Sequence, residues 1–233
     1  NDTSGNIAAS LLFNISIILG NDTCIVESGT CYGNITAAVA NAAPGQHITI
    51  VRELTTTESV LVNTSGLTIT SNTTGGYPTV NGTKSGAIHI NASDVRLFNL
   101  TINSTFGPAI NVTLVYNVTL ERLNITTYGP AGSYGIYFNG STNSTVRNVT
   151  IRSGGTANGN YGIYFALSGN NTVVSSNITA NGTGNDNYGI YFLNATNNYV
   201  INSTVGGINS SDIRVESATA TDTNFLLNVT YNK

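Results

Sequence analysis

Tyr134-Gly135-Ile136-Tyr137-Phe138 recurs unchanged as Tyr161 to Phe165 and again as Tyr188 to Phe192, 27 residues apart both times. The agreement extends past these five letters. Asn143, Asn170 and Asn197 share one register, Val146, Val173 and Val200 a second, and Ile151, Ile178 and Val205 a third. A fixed period of this size marks a solenoid, in which each repeat covers its neighbour's apolar edge. Ile136 and Phe138 have one parity and Tyr137 the other, which is strand periodicity. A second short strand is expected at Thr145 to Ile151. No helical pattern fits between the repeats, and Gly, Asn, Ser and Thr fill the gaps as turns require. Two or three short strands per turn without a crossover helix describe a parallel β-helix, with equivalent residues stacked about 4.8 Å apart. Ile136, Ile163 and Ile190 should line its interior. Tyr137, Tyr164 and Tyr191 should form an external ladder, which stabilises the sheet or offers rings to a sugar.

The 233 residues carry one continuous pattern, so one domain is expected. Hydrophobic residues make up 40%, enough for a long thin core. Charged residues make up only 8% and the net charge is −3, so no basic patch draws nucleic acid or an anionic membrane. No run reaches the roughly 18 apolar residues of a membrane span. The lack of Met implies a chain that begins after processing.

Of 34 asparagines, 23 open an Asn-x-Ser/Thr sequon, against roughly eight expected by chance. Before the repeats these are Asn1, Asn14, Asn21, Asn34, Asn63, Asn72, Asn81 and Asn91. Asn99, Asn103, Asn111, Asn117, Asn124, Asn139, Asn143 and Asn148 follow. Asn170, Asn177, Asn181, Asn194, Asn202, Asn209 and Asn228 complete the set. Asn-rich turns and Thr-rich strands generate some of this excess, but not Asn14, Asn34 and Asn228 outside the regular rungs. Covalent N-glycans at these sites imply a secretory route and an extracellular or cell-surface address.

Cys24 and Cys31 are the only cysteines, with Gly29-Thr30 making a turn between them. In an oxidising compartment they read as a disulfide closing a hairpin. A metal site would need more than two thiols and two scattered histidines. Ahead of the hairpin, Leu11, Phe13, Ile15, Ile17 and Leu19 alternate with Leu12, Asn14, Ser16, Ile18 and Gly20, a strand pattern with one wholly apolar face. After it, Asn34 is a plausible N-cap for a short Ala-rich helix. Ile35, Val39 and Ala42 lie on one side of this helix, and Pro44-Gly45 ends it. Such a helix caps the first rung. Strands are expected at 48–51, 59–62, 67–69, 87–90, 95–100 and 110–114. About seven rungs between 48 and 215 would make a rod of roughly 35 Å. At the C-terminus Phe225, Leu227, Val229 and Tyr231 alternate as a last or capping strand. The organisation is therefore an N-terminal assembly strand (1–23), a disulfide hairpin and capping helix (24–47), the β-helix (48–215) and a C-terminal strand or cap (216–233).

The stretch from Asn34 to Ile50, Ala-rich helix then Pro44-Gly45 then strand, resembles the entry to right-handed parallel β-helix proteins of the pectin-lyase-like superfamily. Gly66-Leu67-Thr68-Ile69, the run from Ala92 to Ile102 and the Tyr-Gly-Ile-Tyr-Phe repeats resemble its carbohydrate-binding and sugar-hydrolase type repeats. Such repeats occur in archaeal surface proteins and in β-helix proteins of nitrous-oxide reductase maturation. The resemblance covers about residues 34–215. It implies an all-β, right-handed parallel β-helix with a short N-terminal capping helix, to which the alternation of residues 11–19 adds an extended N-terminal strand. It leaves function open among lyases, hydrolases, adhesins and structural proteins.

A galacturonase-type site would offer two or three Asp on adjacent rungs, because inverting hydrolysis needs an acid and a base about 6.5–9.5 Å apart. None of the 11 carboxylates forms an Asp-Asp pair. Asp94-Val95-Arg96 and Asp212-Ile213-Arg214 read as surface ion pairs. Glu121, Arg122, Arg147 and Arg152 likewise lack a carboxylate partner one rung away in the repeat register. His47 and His89 face outward with no acid near them in register. The expectation is therefore no catalytic, cofactor or metal residue. The chain reads as a structural subunit of a glycosylated extracellular filament or coat. Identical copies would be joined by strand donation from Leu11, Phe13, Ile15, Ile17 and Leu19, whose apolar face would otherwise be an exposed edge. The alternatives are a surface adhesin or glycan-binding module, and a polysaccharide lyase or hydrolase.

Overall fold

A computed structural model describes residues 22–52, 55–72, 76–83, 86–130, 132–207, 211–217 and 223–232. The apolar run 11–19 and the sequons Asn1, Asn14, Asn21 and Asn209 lie outside the described residues. The chain winds as a parallel β-helix with three walls. The front wall is a seven-stranded sheet: Val60–Val62, Ile88–Ile90, Ile110–Thr113, Ile136–Asn139, Ile163–Ala166, Ile190–Leu193 and Ile213–Glu216. These seven strands are seven rungs, as expected, with six full turns between the first and the last. The second and third walls belong to one sixteen-stranded sheet folded along a corner. Thr145–Arg147 and Thr150–Gly155 are successive strands across that corner, so the expected strand at 145–151 is two strands.

Asn148 breaks it, at φ 53°. From Asn99 onward each turn bends at the same column: Asn99, Arg122, Asn148, Ser175, Asn202 and Asn228 have φ between 48° and 54°. A left-handed residue reverses the in-out parity of the strand, so apolar side chains face inward on both sides of the bend. Asparagine tolerates that conformation better than other non-glycine residues. The inward pattern is therefore apolar-x-Asn-apolar-x-apolar, seen in Leu97, Leu100 and Ile102 and again in Val146, Val149 and Ile151, all buried.

Val60, Ile88, Ile110, Ile136, Ile163, Ile190 and Ile213 form one front-wall column, so successive turns take 28, 22, 26, 27, 27 and 23 residues. Ile136, Ile163 and Ile190 are fully buried, as their register predicts. Beside them Phe138, Phe165 and Phe192 stack at centroid distances of 5.0 and 5.2 Å, within 8° of parallel. Buried polar groups are stacked too. Asn171 and Asn198 lie inside the bend between front and second walls, where Asn171 Nδ2 donates to Asn198 Oδ1 at 3.0 Å. Asn198 Nδ2 donates to Asn224 Oδ1 at 2.9 Å. These ladders satisfy backbone groups that the turns leave without a strand partner.

The first rung is closed. Cys24 and Cys31 are joined in a disulfide, with Cα atoms 3.9 Å apart. They clamp the hairpin Thr23–Ile25/Thr30–Tyr32, which pairs antiparallel along His47–Ile50. The helix spans Ile35–Asn41. The Asn34 side chain caps it by accepting from Ala37 N at 2.7 Å, and Ile35, Ala38 and Val39 are buried. Glu58 adds a carboxylate at the same helix end, accepting from Thr36 N at 2.8 Å, where the helix dipole favours negative charge.

Phe165→Ala removes the middle ring of the internal stack. It should lower stability by about 3–5 kcal/mol, read as a shifted urea midpoint with an unchanged slope.

Candidate functional site

The outer face of the front wall carries the most organised surface of the molecule. Tyr137, Tyr164 and Tyr191 stand in register, with centroid distances of 4.9 and 5.1 Å. A second column, which the strand parity did not predict, lies beside it. Tyr134, Tyr161 and Tyr188 stack at 5.2 and 5.6 Å. The columns interlock edge to face, Tyr161 meeting Tyr191 at 4.9 Å and 60°. Each second-column tyrosine precedes the glycine that opens the strand, and that glycine is needed for space. A Cβ on Gly135 would collide with Ile151 Cγ2 and lie 2.5 Å from the Gly162 carbonyl oxygen; Gly162 and Gly189 are equally confined. Dropping the side chain at this point lets the turn press onto the third wall and swings the preceding ring alongside the strand.

The columns end in charge. Tyr191 donates to Glu216 at 2.8 Å and Tyr188 to Asp186 at 2.8 Å. Burial against neighbouring rings holds the phenols neutral: Tyr164 is pushed up to about 12, and Tyr134, Tyr137, Tyr161, Tyr188 and Tyr191 are raised as well. The result is a row of half-buried rings whose edges and hydroxyls face outward, able to hydrogen-bond a polar ligand without presenting charge.

Three expectations about charged residues are corrected. Arg147 does have a carboxylate one rung away: the buried Glu121 meets its Nη2 at 2.6 Å, and Arg122 Nε lies 3.6 Å from the same carboxylate. That turn takes 26 residues, so Arg147 and not residue 148 lies over Glu121. His47 does have an acid beside it, Glu27, at 2.5 Å. The antiparallel hairpin brings Glu27 there, and the hydrogen bond from His47 lowers the Glu27 pKa. The Asp-x-Arg motifs are not ion pairs. Asp94 sits at φ 63° in a bend and accepts from Asn117 Nδ2 at 2.7 Å, while Arg96 lies over the Phe98 ring at 5.0 Å. Asp212 accepts from Gly207 N at 2.8 Å, and Arg214 reaches Glu216 at 3.9 Å. Among the described residues no three His, Cys, Asp or Glu side chains are grouped to hold a metal ion.

The sequon asparagines separate from the other asparagines. Of the 19 described, none is buried. The buried asparagines, Asn160, Asn171, Asn187 and Asn198, all lie outside sequons. Turn chemistry selects several of the sites: Asn99, Asn117, Asn143, Asn148, Asn170, Asn194, Asn202 and Asn228 all have positive φ. Asn148, Asn177 and Asn202 line a shallow polar concavity with Thr150, Ser175 and Thr204. By contrast, no sequon falls within 125–138, 149–169 or 182–193, the stretches that build the tyrosine columns.

The family described as "right handed beta helix region" matches residues 85–232. No curated protein matches the chain. Among solved structures it is similar to the pectin methylesterase of Aspergillus niger, at 14% identity and a TM-score of 0.53, covering 89% of this chain and 85% of that one. An alginate lyase from Paenibacillus sp. str. FPU-7 aligns at 13% identity and a TM-score of 0.48, over 84% and 95% of the two chains. Tailspike protein 2 of an Escherichia coli O157:H7 bacteriophage aligns at 13% and 0.44, over 68% and 28%. At these identities the likeness is one of fold. No helix among the described residues is long and apolar enough to cross a membrane.

Raised tyrosine pKa values tie stability to alkali. Unfolded phenols ionise near 10, and the folded columns keep their protons toward about 12 at Tyr164. The contribution is therefore complete below pH ~10 and is lost as pH rises from there toward 12. Six of the twelve tyrosines stand in the columns; phenolate absorbance and circular dichroism, followed together, should show these six ionising only as structure is lost. Ionisation of all twelve in a protein that stays folded would contradict it.

Proposed function

We propose that this chain, which belongs to the right-handed β-helix family, is a structural subunit of an extracellular, N-glycosylated filament or surface coat built end to end from identical copies. The inequality of the two ends supports it. The first rung lies under a disulfide-clamped hairpin and a helix. On the last rung Val215, Leu226 and Tyr231 continue the columns of Phe192, Val200 and Val205. They are 50%, 44% and 48% exposed where the preceding residues are fully buried. The strands Ile213–Glu216, Asn224–Leu227 and Thr230–Asn232 each pair on one side only among the described residues. Open edges with apolar side chains invite pairing, and a copy seated there makes a head-to-tail contact that propagates. The surface placement of the sequons fits glycosylation, and the disulfide fits the oxidising route that glycosylation requires.

A second reading, a glycan-binding or glycan-processing face, is favoured by the tyrosine columns, a row of stacked uncharged rings bordered by the sequon asparagines Asn111 and Asn139.

Native material should have an intact mass well above the bare 24.3 kDa and should appear in electron micrographs as filaments or sheets. A mass at the bare value would remove the glycoprotein, and wild-type monomers would remove the polymer. Retardation in gels containing a neutral polysaccharide, lost in Tyr164→Ala/Tyr191→Ala, would move the assignment to the second reading.

A further inference from the structure

We infer that residues 12–17 of one copy form an additional rung on the open C-terminal end of the next. This rests on the end-to-end reading above and names what occupies that end. Residues 12–17 read Leu-Phe-Asn-Ile-Ser-Ile. Three of the six left-handed corners between second and third walls share that pattern: Leu97-Phe98-Asn99-Leu100-Thr101-Ile102, Val146-Arg147-Asn148-Val149-Thr150-Ile151 and, on the last rung, Leu226-Leu227-Asn228-Val229-Thr230-Tyr231. The first of these agrees with 12–17 at four of six positions and differs elsewhere only by Leu for Ile and Thr for Ser. The amino-terminal segment thus carries the signature of a complete bent rung. The unit is strand, left-handed asparagine corner, strand.

Among the described residues, its own end of the solenoid offers that unit only one of the two edges it needs, Thr55–Thr57 in the third wall. The second-wall edge there, His47–Ile50, is taken by the antiparallel hairpin strand Thr23–Ile25. At the other end both required edges are open among the described residues, Asn224–Leu227 in the second wall and Thr230–Asn232 in the third. Extending the register places a second copy's Leu12 over Leu226, its Asn14 over the Asn228 corner and its Ile17 over Tyr231. The segment ends at Ile17, four residues short of Asp22, which lies on the capped end of its own copy. A copy stacked coaxially therefore delivers it at the seam without crossing a rung. The corner also changes which side chains are buried. A flat strand would bury Phe13, Ile15 and Ile17 together, whereas a bent rung buries Leu12, Ile15 and Ile17 and turns Phe13 outward, as Phe98 is turned.

The test uses the full chain, with sedimentation velocity and electron microscopy. Leu12→Asp should abolish polymers, Phe13→Asp should retain them, and Leu226→Asp should abolish them. Mixing the Leu12→Asp and Leu226→Asp proteins should give one-to-one dimers and nothing longer, since each retains one working end. Should Leu226→Asp fail to fold, a synthetic peptide of residues 9–20 replaces it. The peptide should shorten wild-type polymers at stoichiometric amounts, and its Leu12→Asp form should not. Wild-type polymers that persist in Leu12→Asp, or that are lost in Phe13→Asp alone, overturn this inference and leave the end-to-end reading standing. Wild-type protein that sediments as a monomer removes both.

Discussion

Every backbone N–H on a wall must find a carbonyl one rung away, and the rest of the molecule follows from that demand. Rungs about 4.8 Å apart leave no room for side chains to differ freely between neighbours. Whatever occupies a column must tolerate its own copy above and below. Isoleucine and valine do so by packing, phenylalanine and tyrosine by stacking, and asparagine by hydrogen-bonding its amide to the next amide, as Asn171 and Asn198 do. Charge does so badly, because like charges in register repel. The 8% content of charged residues is what a columnar architecture of this kind permits. The buried Glu121 is tolerated because its neighbour in the column, Arg147, has the opposite sign.

The corner column shows how one backbone requirement spreads into composition. A left-handed residue is needed once per turn between the second and third walls. Asparagine fills four of the six places. The next inward position is apolar or serine, and the one after commonly threonine at a strand start. The three together spell a sequon at Asn99, Asn148, Asn202 and Asn228. Fold and modification signal thus draw on the same letters, while the asparagines that serve only the interior avoid them.

The front-wall column and the outer ladder of Tyr137, Tyr164 and Tyr191 were legible because period and parity together determine both. The hairpin, the helix and its Asn34 cap were legible from local chemistry. What escaped was set by geometry between rungs. Tyr134, Tyr161 and Tyr188 join the surface because a glycine removes the obstruction behind them, which parity cannot express. Glu121 meets Arg147 because one turn is a residue shorter than the repeats that define the period. Glu27 meets His47 because the hairpin runs against the direction of the solenoid. The alternation of Phe225, Leu227, Val229 and Tyr231 was misread as one straight strand because the Asn228 corner shifts parity halfway along.

The front wall is held between two sets of rings, phenylalanines inside and tyrosines outside, each repeating at close to 5 Å. The chain contains no tryptophan, so nothing else dominates its near-ultraviolet spectrum. Transition dipoles at that separation and nearly parallel orientation couple, and the coupling vanishes when one rung slips against the next. The absorption bands of the protein are therefore a built-in gauge of solenoid register, readable in solution without any label.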